Sequence, residues 1–200
     1  MTQQQSHEEI LESLKKRRSD AIRRATDFMM TFVVQPDHVA VILATARMDD
    51  LLADLIRFRL LPCATSKDDF LDGGNGVNSF SNRIDLAFRI GVIEPQLASA
   101  LHLFRKIRNN FAHSYTEQSL TKSPHSDRLA ELELRARQHP RFEIMKSRLE
   151  PLESCSESMK TYAICAVFAI GNLESAPIVT KPVDTPFTYL ISYPSENKSH

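Results

Sequence analysis

Three of the chain's five glycines fall together in Gly73-Gly74-Asn75-Gly76, leaving long glycine-poor segments on either side. Apolar residues in those segments recur at helical spacing, with no internal repeat and no run of alternating strands, so the pattern predicts a helix bundle. With 200 residues, 42% of them hydrophobic and 25% charged, the chain is long and apolar enough for one domain with a sizeable core. The expected fold is therefore an all-α, single-domain bundle over residues 1–175. A short extended C-terminal tail, 176–200, follows; it holds four of the ten prolines.

The first helix is expected from Ser6, as N-cap, to Val33. Its basic stretches Lys15-Lys16-Arg17-Arg18 and Arg23-Arg24 are balanced by Glu8, Glu9, Glu12 and Asp20, which reads as a solvated face. Pro36 breaks this helix and starts a second that runs to about Leu61, before Pro62. At about 100° per residue, Val41, Met48, Leu52 and Leu55 share one face of it, Asp50 and Asp54 point away, and Asp49 falls on the rim. The glycine cluster lacks the Lys-Ser/Thr of a phosphate-binding loop and follows no strand, so it reads as a turn.

Ser79 or Asn78 is expected to cap a helix through Ile90, with Phe80, Ile84 and Ala87 in line, Arg83 near that face and Gly91 as its C′ residue. Gln96 to His113 forms the next helix, with Leu97, Leu101, Phe104, Ile107 and Phe111 as its core stripe. After a polar loop, short helices are expected over Asp127–Gln138 and Arg141–Leu149. A longer one follows over Ser154–Leu173, with Tyr162, Ala166, Ala169, Ile170 and Leu173 inward. The tail is expected to order only where Phe187, Tyr189 and Ile191 find a groove.

Formal net charge is zero, which disfavours a broad cationic face for duplex nucleic acid. Cys63, Cys155 and Cys165 form no CxxC pair and read as reduced thiols of a cytoplasmic protein. The N-terminus lacks the apolar core of a signal peptide, and the longest apolar run, Ala163–Ile170, is too short to span a bilayer. No metal site or cofactor is expected.

The stretch from Arg108 to Tyr115 (RNNFAHSY) carries the chemistry. On an unbroken helix Arg108 lies about 20° from Leu97, inside the apolar stripe, while His113 lies about 160° away on the side of His102, Arg105 and Asn109. A guanidinium on a core-facing stripe needs a partner, because an unpaired buried charge is costly. Asp49, the first choice, Asp85 or a helix C-terminus would serve, and Arg108 is expected to be at least partly buried. The alternative role is a donor to phosphate or carboxylate. His113 at a helix C-terminus also has a plain electrostatic role there.

Phe80 to Ile93 (FSNRIDLAFRIGVI) and Arg105 to Ser114 (RKIRNNFAHS) resemble the mannitol operon repressor (MltR-like) family over roughly Pro36–Ser119. That resemblance implies a helical regulator of transcription. Since no helix-turn-helix is recognisable, it implies action through a protein partner. The second phrase also resembles the HEPN domains, whose signature is Arg, four to six residues, then His. Arg108-Asn109-Asn110-Phe111-Ala112-His113 has the Arg-Asn-x-x-x-His form, and Tyr115 extends it.

The HEPN resemblance implies an α-helical homodimer and, in many members, metal-independent ribonuclease or toxin activity. In such a site His113 would be general base or acid, Arg108 would stabilise charge on the phosphorane, and Asn109 would orient the phosphate. His102, Arg105, Asn110 and Tyr115 would be binding residues, and Arg83, Asp49 and Asp85 structural polar groups. A two-fold dimer would bring two Arg-His sets together. The first expectation is a regulator working through protein contacts; the alternative is a HEPN-type endoribonuclease, a toxin or phage-defence effector whose protein partner would be an antitoxin.

Overall fold

The computed structural model describes residues 3–63, 65–73, 76–113 and 119–183. These form an all-α bundle with no strand among the described residues: α1 Gln3–Phe32, α2 Asp37–Arg59, α3 Asp69–Asp72, α4 Phe80–Arg89, α5 Pro95–His113, α6 His125–Ala136, α7 Phe142–Leu149 and α8 Glu157–Ser175. A 3-10 turn, Ala176–Ile178, closes the described helical part.

The core is built around α8, which packs against α1, α2, α5, α6 and α7. Its apolar residues are not confined to one stripe: every residue from Tyr162 to Gly171 is buried. A helix apolar on all sides belongs at the centre of a bundle or in a membrane. Among the described residues this is the one helix long and apolar enough to cross a bilayer, and most of it is covered by its neighbours. Gly171 allows α1 to come close, because a Cβ there would collide with Ile22 Cδ1.

α2 buries Val41, Met48, Leu52 and Leu55 as its wheel predicts, with Asp50 and Asp54 exposed. Ser79 is the cap of α4, its hydroxyl accepting from Asn82 N at 3.1 Å. At the other end Gly91 takes φ +73; its N–H donates to Phe88 O and that of Val92 to Ala87 O, each at 3.0 Å. This crossed pair satisfies carbonyls the helix leaves open, and its positive φ is the reason for glycine. α5 buries Leu101, Phe104 and Ile107, with the Phe104 ring edge-on to Tyr162 at 5.4 Å.

Some boundaries move. α1 begins at Gln3, so Ser6 lies within the helix and not at its cap. Pro36 sits at the N-cap of α2, where its C=O accepts from Val39 and Ala40. A one-turn helix, α3, capped by Asp68, interrupts the loop read as a plain turn; Gly74 and Asn75 lie outside the described residues. The segment after Ala176 begins with the 3-10 turn instead of extended chain and is tied back to α2. Val183 N donates to Arg59 O at 2.8 Å, and Arg59 Nη1 to Lys181 O at 2.8 Å. Phe187, Tyr189 and Ile191 lie outside the described residues.

Candidate functional site

α5 positions the motif. The helix continues unbroken to His113, so unwinding at Ala112 is not how Arg108 and His113 would meet. Positions 108 and 113 stand about 140° apart around one helix axis. The side chain of His113 and the whole of Tyr115 lie outside the described residues.

Arg108 departs from expectation. It is exposed, and its hydrogen bond among the described residues runs from Nη1 to Asn109 Oδ1 at 3.4 Å. Asp49 does not hold it, and Asp85 is engaged elsewhere. The reason is a drift of the buried stripe. In the second half of α5 the buried residues are Leu103, Phe104, Ile107 and Phe111, whose centre lies about 85° from Arg108. Leu97, used as the reference, is only half-buried.

Asp49 pairs with Arg83, Nη1 to Oδ1 at 2.8 Å. The same guanidinium donates from Nε to Val77 O at 3.2 Å and from Nη2 to Leu71 O at 3.3 Å. Arg83 therefore joins α4 to α2 and to the loop bearing α3. Three acceptors on one planar fork suit arginine and would not suit lysine.

Asp85, two residues on and so on the opposite face of α4, receives His102 of α5, with Nε2 to Oδ1 at 3.2 Å. A carboxylate at that distance fixes the imidazole's orientation. His102, Asp85, Arg105 and Lys106 line a groove of about 640 Å³ over α5, with Phe88 of α4 on one wall and Glu131 of α6 on the other. Among the described residues His102 Nδ1 and Arg105 Nε are buried without a hydrogen-bond partner. Thus His102, Arg105 and Asp85 come together; Asn109 lies a turn or more further along α5 with Arg108, Asn110 is half-buried, and Arg83 and Asp49 belong to a separate bracing contact. Among the described residues no three His, Cys, Asp or Glu side chains converge as a metal site.

Other polar residues escaped the sequence reading. Glu174, with 5% of its side chain exposed, accepts from Arg24 Nε at 2.7 Å and Arg47 Nη2 at 2.9 Å, tying α1, α2 and α8. His139 stacks on Phe168 at 4.1 Å, and His125 lies against Phe111 at 4.8 Å. Burial lowers the pKa of both histidines, assisted by Arg141 at His139 and by Arg128 at His125, where Asp37 opposes it. Cys165 faces the same interior as Phe168, and burial, with Glu133 second, pushes its thiol up to about 12. It is an inert core thiol, since the thiolate is the reactive form. Arg24-Glu174 contacts span 150 residues of chain and leave no local spacing to recognise.

Compared with protein families, curated proteins and solved structures, the chain matches none. The repressor-like and HEPN-like resemblances rest on the two quoted phrases.

Proposed function

We propose that the chain is a cytoplasmic regulatory module, a homodimer that acts by binding protein through the groove beside the RNNFAH motif and reads no DNA itself. The observation that carries this reading is the groove's chemistry. Its cations Arg105 and Lys106 face Asp85 and Glu131, and Phe88, 45% exposed, stands at its edge. A protein surface satisfies mixed charges around an apolar anchor, whereas a polyphosphate backbone requires an excess of cations. The resemblance to the MltR-like repressors agrees with it.

A second reading, the HEPN-type endoribonuclease using Arg108, His113 and Asn109, gains from one observation. Arg108 is not absorbed by a carboxylate among the described residues and presents its guanidinium to solvent. Since one helix sets Arg108 and His113 apart, that enzyme would need the facing motif of a second copy.

One experiment separates the two. The purified chain, Arg108→Ala, His113→Ala and a Phe88→Glu/Lys106→Glu variant are incubated with single-stranded RNA in EDTA and sedimented in parallel. The regulatory reading expects no cleavage and a dimer that the groove variant leaves intact, since the groove serves the partner protein and not self-association. His113→Ala should leave the dimer intact, because an exposed helix-end contact contributes only about 0.3–1 kcal/mol. Metal-independent cleavage lost in both single variants would replace the first reading with the second; loss of a general base alone costs about 10²–10⁴-fold. A monomer at high micromolar concentration would remove the dimer from both.

A further inference from the structure

A second concavity, of about 760 Å³, lies on the other side of α5 from the groove of His102, and the chain itself runs along its edge. Val179, Thr180 and Lys181, after the 3-10 turn, line it, as does Arg59 at the end of α2. Arg59 Nη1 donates to Lys181 O and Val183 N to Arg59 O, each at 2.8 Å. The described chain thus ends, at Val183, fastened to the rim of the cleft, and residues 184–200 follow from that point.

Three cations gather at this end. Gly171 of α8 meets Ile22 of α1, and Cys155 Sγ donates to Val33 O, so the two helices run antiparallel. Arg18, one turn before Ile22, therefore stands level with Ser175, one turn beyond Gly171, near the segment that bears Lys181. Arg24, Arg47 and Arg83 have carboxylate partners. Among the described residues Arg18, Arg59 and Lys181 have none, and the cleft is lined by the single carboxylate of Glu94. Away from this end the lining is mixed. Gln96, Gln138 and Asn172 are exposed amides, Leu97 and Ala100 are half-buried, and the rings of Phe104 and Phe168 are sealed beneath. Amides beside shallow apolar patches suit an extended peptide, which carries N–H and C=O groups at every residue and side chains on alternate sides.

The chain supplies such a peptide where it is needed. In Asp184 to Tyr193 (DTPFTYLISY) the one charged residue is Asp184, next to the anchored Val183 and so at the cationic end. Phe187, Tyr189 and Ile191 then recur at every second position, the spacing of one side of an extended chain. Pro186, and Pro194 just beyond, favour extended backbone at and before them, which lowers the cost of ordering. At about 3.3 Å per residue, Tyr189 reaches up to about 20 Å from Val183. A tethered segment also acts at an effective concentration on the order of millimolar, so shallow contacts suffice for it where a free ligand would need deep ones.

We propose that residues 184–193 dock along this cleft as an extended strap, with Asp184 among Arg18, Arg59 and Lys181 and with Phe187, Tyr189 and Ile191 toward Leu97 and Ala100. The strap is independent of the partner-binding reading, whose groove lies on the opposite side of α5.

The full chain is tested in two ways. Tyr189→p-benzoylphenylalanine is irradiated in a mixture of isotopically labelled and unlabelled protein, and cross-linked peptides are assigned by mass spectrometry. Cross-links should fall within one copy, on α5 around Leu97 and Ala100 or on the end of α8. Hydrogen exchange should show amides of 184–193 protected by about tenfold or more over the free-chain rate. Ala100→Phe, which fills the cleft, should abolish both signals. Val179→Asp, at a position already 65% exposed, sets a carboxylate against Asp184 and should weaken both severalfold without a change in melting temperature, so the test survives if Ala100→Phe misfolds. Phe70→Ala, in the α3 loop, should change neither. Free-chain exchange over 184–193, cross-links elsewhere on the bundle, cross-links to the other copy, or signals unchanged in both cleft variants would each overturn the assignment.

Discussion

Glu174→Ala isolates the contact on which the long helices converge. The carboxylate is nearly sealed, with 5% of its side chain exposed, and both oxygens are used, by Arg24 at 2.7 Å and Arg47 at 2.9 Å. Charge-assisted hydrogen bonds contribute about 1.5–3 kcal/mol each when buried. The arginines, however, are 53% and 39% exposed at the side chain, and water can take over their N–H groups once the carboxylate is gone. The loss should therefore fall below the about 3–5 kcal/mol of a fully buried pair broken on one side, at roughly 2–3 kcal/mol. Urea unfolding followed by circular dichroism measures it as a shift in midpoint at unchanged slope. Arg47→Ala and the double variant complete a cycle with coupling of about 1 kcal/mol or more. Glu133→Ala, which breaks the exposed Arg137 pair on α6, serves as control and should cost no more than about 0.5 kcal/mol. A Glu174→Ala loss as small as that control would refute the reasoning, because the contact would then behave as a surface ion pair.

Phe104→Ala should cost about 3–5 kcal/mol, the range for a buried aromatic leaving a cavity, and denaturant unfolding of a residue now 1% exposed checks it; a neutral result would mean the α5 face is misplaced. Gly91→Ala should cost about 1–2 kcal/mol through backbone strain alone, since φ is +73 and nothing lies within 4 Å of an added Cβ; Gly91→Asn, which tolerates that φ better, should cost less in the same melt. His125 and His139 have folded pKa values below the ordinary 6.5, so the unfolded chain takes up their protons first on acidification. Their share of stability is full above about pH 6.5 and is lost as pH falls through and below that value. His139→Gln should flatten the decline in melting temperature between about pH 6.5 and 5, and an unchanged slope would show that the ring near Phe168 does not contribute.

How much of this was legible in the sequence depended on whether the information was local. Ser79 with its following amphipathic turns, Gly91 after Ile90, and Pro36 after Gln35 each announce a helix boundary within a few residues, and α4 and α2 begin and end accordingly. The centre of the bundle was harder. Periodicity gives the Ser154–Leu173 helix one inward face, Tyr162, Ala166, Ala169, Ile170 and Leu173, yet every residue from Tyr162 to Gly171 is buried, a distinction that depends on how many neighbours surround the helix and not on period. Arg108 failed for a related reason. Its wheel was referenced to Leu97 at the first turn, and the buried stripe turns away before Arg108 is reached. Asp49 was recognised as a rim carboxylate in want of a basic partner, but partner choice is tertiary: Arg83, 34 residues away, reaches it. Glu174 carries no local signal, because its partners Arg24 and Arg47 come from α1 and α2.

The exposure of Arg108 changes what the motif can mean within one chain. A buried, paired Arg108 would have made RNNFAH a structural end to α5, its resemblances explained by packing. Instead the bracing that was expected of Arg108 is done by Arg83, with three acceptors on two neighbouring segments. Arg108 keeps a single neutral acceptor, Asn109, among the described residues. Solvating a guanidinium at the end of a core helix contributes little to the fold. Under the proposed function it is offered to what approaches α5 from outside. A carboxylate on a partner protein and the phosphate of an RNA both answer that description, and they differ in salt dependence. A single carboxylate contact should leave partner affinity only modestly sensitive to salt, whereas RNA binding should fall steeply as counterions compete for several phosphates. Measuring the salt slope of binding for the parent and for Arg108→Ala therefore assigns the guanidinium to one class of partner independently of whether any RNA is cut.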